Sequence, residues 1–303
     1  MSAVRPEVAI VGAGGLARAL AHALARSGGV RVAIAARRPA AAAAMARGPR
    51  GLRAVARIDE AVAGAAIVVL AVPDRSITAV ARALVPMRAS WRGIVVLHAA
   101  GAYGPERLAP LRARGASTGV LHPLAVLGAR GDAALAGAYA RIEGLPAARA
   151  AARRLCGLVG LTPLRGSGLQ TPQGRLAYHA AASLVANDLV ALLAAGQGLL
   201  VRHGVPAGEA LRALLGLAGG ALHQALDAGL AGALTGPVAR NDRATLVAQL
   251  RVLAKDDPLA AEAHRALSLR LIDLASASGR LEASAARTLR NSLGRGSGRS
   301  TTV

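Results

Sequence analysis

The sequence is poor in aromatic residues: among 303 residues it has no phenylalanine, one tryptophan and three tyrosines. Its hydrophobic core must therefore consist mainly of Ala, Leu and Val, although the chain is long enough to hold two domains. It also has a single cysteine, Cys156, which excludes an internal disulfide and a zinc site built from cysteines. Cys156 lies in an apolar helical stretch, where we expect a small buried hydrophobe.

Lysine and acidic residues are also scarce, and arginine supplies almost all of the positive charge. The chain has 37 Lys and Arg against 16 Asp and Glu, a net charge of +21, and Lys255 is its one lysine. A basic balance can indicate nucleic-acid binding. Because these arginines are scattered through the chain and lack aromatic platforms, we expect no nucleic-acid partner, with such binding as a minor alternative. We expect affinity for anionic small molecules instead.

Long uninterrupted apolar segments are missing too. A glycine turn breaks the first apolar run, which argues against a signal peptide. The most hydrophobic helical stretch, residues 184–201, includes Asn187, Asp188 and Gln197, which would be costly in lipid. We therefore expect a cytoplasmic protein with no membrane partner.

A dinucleotide-binding motif lies close to the first residue. A strand-like run from residue 7 leads into Gly12-Ala13-Gly14-Gly15-Leu16-Ala17, the pattern G-x-G-x-x-A, and an Ala/Leu-rich helical pattern follows. Gly12 permits the tight turn, Gly14 lets backbone N–H groups approach a pyrophosphate, and Ala17 lets the helix pack closely on the strand. We expect Gly12, Gly14, Gly15 and Leu16 to cradle the diphosphate at the helix N-terminus.

The end of the second predicted strand indicates which dinucleotide binds. NAD sites usually place an Asp or Glu there to accept from the ribose 2′-OH, whereas NADP sites use Arg for the 2′-phosphate. This strand ends in Arg37 and Arg38, and no acidic residue occurs between residues 9 and 57. We predict NADP as the cofactor, with a solvated strand end as the alternative interpretation.

Apolar runs of strand length alternate with helical patterns to about residue 165, which predicts a doubly wound parallel α/β sheet. Ligands bind such sheets at the carboxyl ends of the strands. The candidate cofactor contacts that follow predicted strands are Val72, Pro73, His98 and Gly101. Two local predictions accompany them: Asp74 is the N-cap of the next helix, and a later strand stops at Pro123.

Strand patterns disappear after residue 171. Four helical stretches follow, at residues 173–203, 206–228, 242–254 and 257–277. The chain then ends in a segment of Gly, Ser and Arg that cannot bury a core. We predict a Rossmann domain over residues 1–165, an all-α domain for substrate binding and dimerisation over 166–290, and a flexible basic tail over 291–303.

The first helical stretch carries polar residues at intervals of four, namely Arg175, His179, Ser183 and Asn187. Four residues turn an α-helix by about 400°, so neighbours in the series share a face while its ends drift apart. The result is an oblique polar stripe on an alanine-rich surface. Either the stripe packs against other helices, or it closes over a nicotinamide and supplies the proton donor and orienting groups for hydride transfer.

Together these features resemble a bacterial family that joins a Rossmann-like NADP-binding domain to a helical domain of unknown function. The resemblance spans residues 7–275 and rests on the glycine turn, Leu70 to Asp74, His98 with Gly101, Leu121 to Leu124, Tyr178 to Asn187 and Leu234 to Asp242. The architecture is similar to that of ketopantoate reductases, pyrroline-carboxylate reductases and β-hydroxyacid dehydrogenases. Those relatives open the second domain with Lys-x-x-x-Asn. Here Asn187 fills the asparagine position, Ser183 replaces the lysine, and Asn241 stands where Gly is more frequent.

The resemblance implies an NADPH-dependent reductase of a small carboxylate-bearing carbonyl compound, such as a ketopantoate-like 2-oxo acid, bound in the cleft between two domains. One alternative is a cyclic imine reductase of the pyrroline-carboxylate type. Another is a regulatory protein that binds NADP without catalysis. A metal hydrolase is disfavoured and no metal is expected, because no His-x-x-x-His or acidic ligand cluster accompanies the histidines.

Reduction of a carbonyl requires a proton donor beside the nicotinamide. His179 is our first choice for this acid and His122 the second, although His122 could equally be a structural ring. Ser183 and Asn187 complete the predicted catalytic set on the same helix.

Two arginines are candidates for the substrate carboxylate, since a guanidinium binds it in a two-point fork. These are Arg175 and Arg240, the second of which could simply cap a helix. The Ala, Leu and Gly-rich helices also carry more apolar surface than one Rossmann face can cover, so we expect a symmetric homodimer.

Overall fold

The computed structural model describes residues 7–127 and 131–294 of the chain. The contacts between residues divide the chain into two compact units, the first ending at Ala186 and the second beginning at Asn187. The predicted boundary at residue 165 lies earlier, directly after the last strand.

The first unit contains an eight-stranded sheet. Its strands are β1 (Glu7–Val11), β2 (Arg31–Ala35), β3 (Leu52–Ala54), β4 (Ile67–Leu70), β5 (Val95–His98), β6 (Ser117–Leu124), β7 (Tyr139–Gly144) and β8 (Thr162–Pro163). They lie in the order β3-β2-β1-β4-β5-β6-β7-β8, and the first six run parallel. β7 is antiparallel to β6, and β8 is parallel to β7. Every residue of β1, β4 and β5 is buried, as expected for a sheet covered on both faces.

Helices cover both faces of this sheet. They are α1 (Gly15–Ser27), α2 (Pro39–Met45), α3 (Ile58–Ala63), α4 (Ile77–Leu84), α5 (Ala109–Arg112) and α6 (Pro146–Val159). Because side chains alternate along a strand, Val8 and Ile10 join one buried cluster with α1, α2 and α6. Ala9 and Val11 join the other cluster, with α3, α4 and α5. The predicted doubly wound fold is confirmed.

The strand predicted to stop at Pro123 continues through it. β6 pairs with β5 as far as Val120 and with β7 as far as Leu124. Pro123 therefore has a neighbouring strand on one side only, and its missing N–H removes no bond on the open side. The prediction was wrong because it treated proline as a terminator without considering an edge position.

Helices follow the sheet. They are α7 (Pro172–Arg202), α8 (Ala207–Gly232), α9 (Gly236–Ala239), α10 (Arg243–Asp256), α11 (Pro258–Ala277) and α12 (Ala283–Leu293), and the division between the units falls within α7. The small core of the second unit comes from α9 to α12 with the segments joining them. In contrast, Tyr178 and Ala210 are the buried residues of α7 and α8 among the residues described.

The end of the second unit differs from the sequence prediction. Helix α12 extends to Leu293, so the first three residues of the predicted tail are helical. Leu289 and Leu293 are buried in the core, which holds the helix in place. Residues 295–303 of the predicted tail lie outside the described residues.

Candidate active site

A groove of about 610 Å³ lies at the carboxyl ends of β1, β2 and β4. It collects eight of the ten predicted cofactor residues: Gly12, Gly14, Gly15, Leu16, Arg37, Arg38, Val72 and Pro73. His98 and Gly101 do not line it, although Ala99 between them does. The groove thus occupies the sheet edge at which doubly wound proteins bind ligands.

The glycine turn has the geometry that a phosphate requires. Gly12 has φ of +148°, and a Cβ at this position would lie 2.1 Å from the carbonyl oxygen of Ala71, so no larger residue fits. The space at Gly14 is open, with no atom within 4 Å of the position its Cβ would take. Gly14 is also the N-cap of α1 and offers no side chain to the first N–H groups. These donors and the helix dipole suit an anion.

Three exposed arginines line the groove: Arg37 and Arg38 after β2, and Arg75 after β4. Their guanidinium groups form no hydrogen bond or ion pair within the described part of the chain. Asp74 is the one carboxylate in the lining. The groove therefore carries an excess of positive charge.

Asp74 does not cap a helix, contrary to the sequence prediction. It is the first residue of a short 3-10 turn, and the N-cap position of this turn is Pro73. The chain completes this turn before α4 begins at Ile77, so the carboxylate lies too early to reach the first N–H groups of α4. The carboxylate lines the groove instead.

His98 has a structural position at the end of β5. Its ring is fully buried, its Nδ1 accepts from the N–H of Ala100 at 3.1 Å, and its Nε2 therefore donates to the carbonyl of Gly104 at 2.8 Å. Burial lowers the pKa of His98, which favours this neutral form. His98 holds the loop of residues 99–104 and presents no ring atom to the groove.

His122 forms a pair with a residue that the sequence analysis did not select, Tyr178. Nδ1 of His122 lies 2.8 Å from the Tyr178 hydroxyl, and the two rings meet edge-on. Burial lowers the pKa of His122 to about 4 and raises that of Tyr178 to about 12. At neutral pH both groups are therefore uncharged. The Tyr178 hydroxyl can donate to Nδ1, which would leave the hydrogen of His122 on Nε2, and it also lies 3.4 Å from the carbonyl oxygen of His122.

Gly101 brings the two predicted acids together. A Cβ on Gly101 would lie 2.9 Å from Nε2 of His122 and 3.0 Å from Nδ1 of His179. A side chain here would collide with both rings, so glycine allows His122 and His179 to approach the same point of the loop. This point lies two residues beyond Ala99, which lines the groove.

The stripe on α7 does not act as one unit. Tyr178, next to His179, is buried, whereas the side chain of His179 is exposed and has no hydrogen-bond partner among the described residues. Ser183 is half-buried, and Asn187 is exposed and begins the second unit. The structure therefore brings His179 to His122 but shows no such contact for Ser183 or Asn187.

Arg175 is bound to carboxylates of the protein itself. Its Nε and Nη2 contact the two oxygens of Glu143 at 3.0 and 2.5 Å, and its Nη1 lies 3.2 Å from Glu106. The hydrogen bond to Glu143 raises the pKa of Arg175. This geometry does not support the predicted substrate role, because the fork that would hold a substrate carboxylate already holds Glu143.

A buried arginine, Arg141, completes this network. It pairs with Glu143 and donates from Nη2 to the carbonyl of Tyr103 at 2.6 Å. The same guanidinium lies 5.8 Å from the ring centre of Tyr178. Arg141 and Glu143 thus connect the loop after β5 to the beginning of α7.

Sequence reasoning missed Arg141 and Glu143, although a signal was present. Two charged residues at positions i and i+2 of a predicted strand face the same side of the sheet, and on a buried strand they must be paired. The stripe analysis also passed over Tyr178, because it considered only the interval of four.

For metal binding, the described residues contain no group of three or more His, Cys, Asp or Glu that could hold an ion.

The second substrate candidate, Arg240, lies in the second unit. It is exposed at the end of α9, close to Asp242, the N-cap of α10. Hydrogen bonding from Thr245 lowers the pKa of Asp242, and the charge of Arg240 has a smaller effect in the same direction. Arg240 has no side-chain hydrogen bond or ion pair within the described ranges, so its guanidinium is available for an anion.

Comparison with protein families agrees with the two-part organisation. Residues 1–123 match the model of a Rossmann-like domain, and residues 138–271 match a domain of unknown function, DUF2520. This combination confirms the family resemblance found in the sequence. None of the curated protein sequences matches the chain.

Several solved structures share the fold at low sequence identity. A Bacteroides fragilis protein provisionally named an NADP oxidoreductase has a TM-score of 0.69 and 20% identity, covering 88% of this chain and 97% of its own. The pyrroline-5-carboxylate reductase of Coxiella burnetii has a TM-score of 0.60 and 16% identity, with 89% and 98% covered. An imine reductase of Streptomyces aurantiacus has a TM-score of 0.57 and 20% identity, with 93% and 99% covered.

Proposed function

We propose that this protein, which joins a Rossmann-like domain to a DUF2520 domain, is an NADPH-dependent reductase of a small carbonyl compound bearing a carboxylate. The observation that carries the proposal is the groove, where an uncapped glycine turn shares one cavity with three arginines that have no partner among the described residues. The similar structures include a protein named as an NADP oxidoreductase, which supports this cofactor.

NADPH fits the residues of the groove. The first N–H groups of α1 would hold its diphosphate, with Gly14 leaving room for close approach. Arg37 and Arg38 would bind the 2′-phosphate through charge-assisted hydrogen bonds. When bound, NADPH supplies the hydride for reduction of the substrate carbon.

The imidazoles beside Gly101 supply the proton chemistry. With Tyr178 donating to Nδ1 of His122, the Nε2–H of the neutral ring is available to hydrogen-bond the substrate oxygen. His179 donates a proton to that oxygen as the carbon accepts the hydride, and the product is a hydroxy acid. Arg240 is the remaining arginine that we assign to the substrate carboxylate. Ser183 and Asn187 stay proposals for orienting groups.

Reduction of a cyclic imine is the second candidate, because two of the similar structures are a pyrroline-5-carboxylate reductase and an imine reductase. A protonated imine is a cation and is best stabilised by a free carboxylate. Glu106 and Glu143, the carboxylates of this network, are both paired with Arg175. This pairing leaves neither of these two carboxylates free to stabilise an iminium ion.

Turnover measurements test the proposal. The protein should oxidise NADPH in the presence of one or more small 2-oxo acids, and cyclic imines bearing a carboxylate should react more slowly. Faster reaction with the imines would establish the second candidate instead. Tight NADPH binding without turnover of any carbonyl or imine would overturn the reductase proposal and favour a regulatory protein.

We also propose that the protein acts in the cytoplasm as a homodimer, without nucleic-acid or membrane partners. The scattered arginines argue against a nucleic-acid surface, which would show strongly salt-dependent retention on DNA. The dimer is supported by leucines that α7 and α8 leave exposed, among them Leu184, Leu217 and Leu226.

A further inference from the structure

A second cavity, of about 580 Å³, lies beside β7 and β8, between α6 and the segment that leads to α7. We call it the edge cavity. It shares no lining residue with the groove. Its size is in the range of small-molecule sites.

The charged residues that line the edge cavity are all positive. Arg149, Arg153 and Arg165 line it, together with Arg141 on its buried side, and its lining contains no Asp or Glu. The three outer guanidinium groups have no ion pair or side-chain hydrogen bond within residues 7–127 and 131–294. Like charges that line one cavity repel one another, so an anion in the cavity would relieve the repulsion.

The local fold explains why these arginines converge. Arg149 and Arg153 are four residues apart on α6 and therefore share a face of that helix. Arg165 follows β8, which pairs only with Tyr139 and Ala140 of β7, so the next residues of β7 have no strand neighbour on the side away from β6. Arg165 thus lies beside the uncovered edge of β7, where the cavity opens.

Arg141, which lines the cavity, has an unsatisfied donor. The side chain of Arg141 is 2% exposed, and its Nε has no hydrogen-bond partner within the described residues, although its other nitrogens bind Glu143 and Tyr103. A buried guanidinium donor without an acceptor is costly. Thr162 and Ser167 add hydroxyl groups to the lining.

We propose that the edge cavity binds a small, multiply charged oxyanion, either a phosphate ester or a polycarboxylate. Guanidinium forks match the paired oxygens of both groups. This site is separate from the proposed NADPH groove, so the proposal does not depend on the reductase function.

Arginine is abundant in this chain, so the test must separate a built site from general charge. Elsewhere, Arg53, Arg57 and Arg175 pair with carboxylates. Arg154, next to Arg153 on α6, is exposed and does not line the cavity. Replacing Arg154 removes the same charge from the same helix and gives a matched control.

The experiment is calorimetric titration of the full chain with pyrophosphate and, separately, with citrate. We expect saturable binding of at least one of them. Arg153→Ala should weaken it by about tenfold or more, the loss of a charge-assisted bond, and Arg149→Ala/Arg153→Ala should weaken it further. Arg154→Ala should change the affinity by less than about twofold. The stronger titrant identifies phosphate or carboxylate as the natural chemistry, and melting temperatures verify that all variants fold.

Three outcomes would overturn the proposal. The first is absence of saturable binding of either anion. The second is equal weakening by Arg153→Ala and Arg154→Ala, which would indicate general attraction to the basic surface. The third is loss of binding in Arg37→Ala/Arg38→Ala with no loss in Arg153→Ala, which would place the anion in the groove. Retained NADPH turnover in Arg153→Ala would separate this test from that of the reductase function.

Discussion

His179 is the residue on which the proton-donor assignment depends. Its exposed ring approaches Gly101, and no hydrogen bond within the described residues gives it a structural role. His179→Ala should lower kcat by about 100-fold or more, because the general acid acts in the transition state. NADPH affinity should stay nearly constant. The measurement is steady-state kinetics beside a cofactor titration.

The control for this prediction is His179→Gln, which keeps the size of the side chain but has no acidic proton. It should be almost as slow as His179→Ala. If the imidazole only satisfied a polar partner, the glutamine would restore both stability and rate. Near-native kcat in His179→Gln would therefore refute the assignment and transfer the role to His122.

His122 predicts a specific pH dependence of stability. Burial, with smaller effects of Arg141, His179 and His98, lowers its pKa to about 4, whereas the unfolded ring titrates near pH 6.5. Between these values the unfolded state binds a proton that the folded state does not, so the free energy of unfolding falls as pH falls from about 6.5 to 4. The loss is at most on the order of 3 kcal/mol, and above pH 6.5 this ring has no effect.

Replacing His122 should flatten that dependence. The free energy of unfolding of His122→Asn, measured by urea denaturation, should drop less between pH 7 and 5 than that of the native protein. Some dependence of the free energy of unfolding on pH should remain in this variant, since burial also lowers the pKa of His98 and His264. The exposed ring of His223 on α8 provides the control, and His223→Asn should keep the native slope. If His122→Asn kept the native pH dependence of the free energy of unfolding, this would contradict the burial of the His122 ring.

Among the elements, α8 has a break that only glycine tolerates. Gly229 has φ of 71° and ψ of 173° within an otherwise helical segment, and its Cβ would meet no atom within 4 Å. The cost of Gly229→Ala is therefore backbone strain alone, about 1–3 kcal/mol of destabilisation. Gly216 lies in the regular part of the same helix, also in open space. Gly216→Ala should raise the free energy of unfolding of the protein by up to about 1 kcal/mol.

Chemical denaturation of the two variants measures both effects. If Gly229→Ala and Gly216→Ala changed the free energy of unfolding equally and in the same direction, the backbone at Gly229 would be ordinary helix. The sequence prediction ended this helix at residue 228, one residue before the break, whereas the helix continues beyond the break to Gly232.

The sequence predicts elements well where one pattern dominates. Buried strands such as β4 and long helices such as α11 were recognised because apolar runs and helical periodicity leave few alternatives. Short α9 and α12 were missed, since a helix of four residues has no period and α12 is largely polar. The ends of elements were least predictable, as Asp74 and Pro123 show, because neighbouring strands and 3-10 turns decide them.

The candidate site was predictable only in part, for a similar reason. The glycine turn and Arg37 with Arg38 follow from local sequence, because one strand, turn and helix position them. The pairing of His122 with Tyr178 joins residues 56 positions apart and requires the tertiary fold. The carboxylates that occupy Arg175 come from β7 and from the segment after β5, which spacing along α7 cannot show.

At the scale of the whole molecule, the exposed apolar surface predicts association. Leu226 on α8 is 83% exposed, and Leu217 and Leu222 on the same helix are also largely exposed. The chain should sediment as a dimer at micromolar concentration. Leu226→Glu should shift it towards monomer, since a charge in an apolar interface costs several kcal/mol.

A matched control separates the interface from general solubility. Leu259 on α11 is 76% exposed, so Leu259→Glu adds the same charge at a comparable exposed position and should leave the native state of association. A native protein that sediments as a monomer would contradict the dimer. Helix α7 is the one described helix long and apolar enough to span a membrane, and its most apolar 18-residue window has a mean hydropathy of 1.7. Co-sedimentation with lipid vesicles would therefore indicate a membrane surface instead.

The most direct test of the proposed function is the affinity of the native protein for NADPH and NADH, measured by equilibrium fluorescence titration. We predict clear preference for NADPH. Arg37→Ala/Arg38→Ala should weaken the binding of NADPH by about tenfold or more and leave the affinity for NADH nearly unchanged. The reason is that only NADPH has a 2′-phosphate, which would lose two charge-assisted contacts. Arg47→Ala/Arg50→Ala, which removes two exposed charges outside the groove, should have little effect on either. Equal affinity of the native protein for the two cofactors, or no binding of either, would contradict the account.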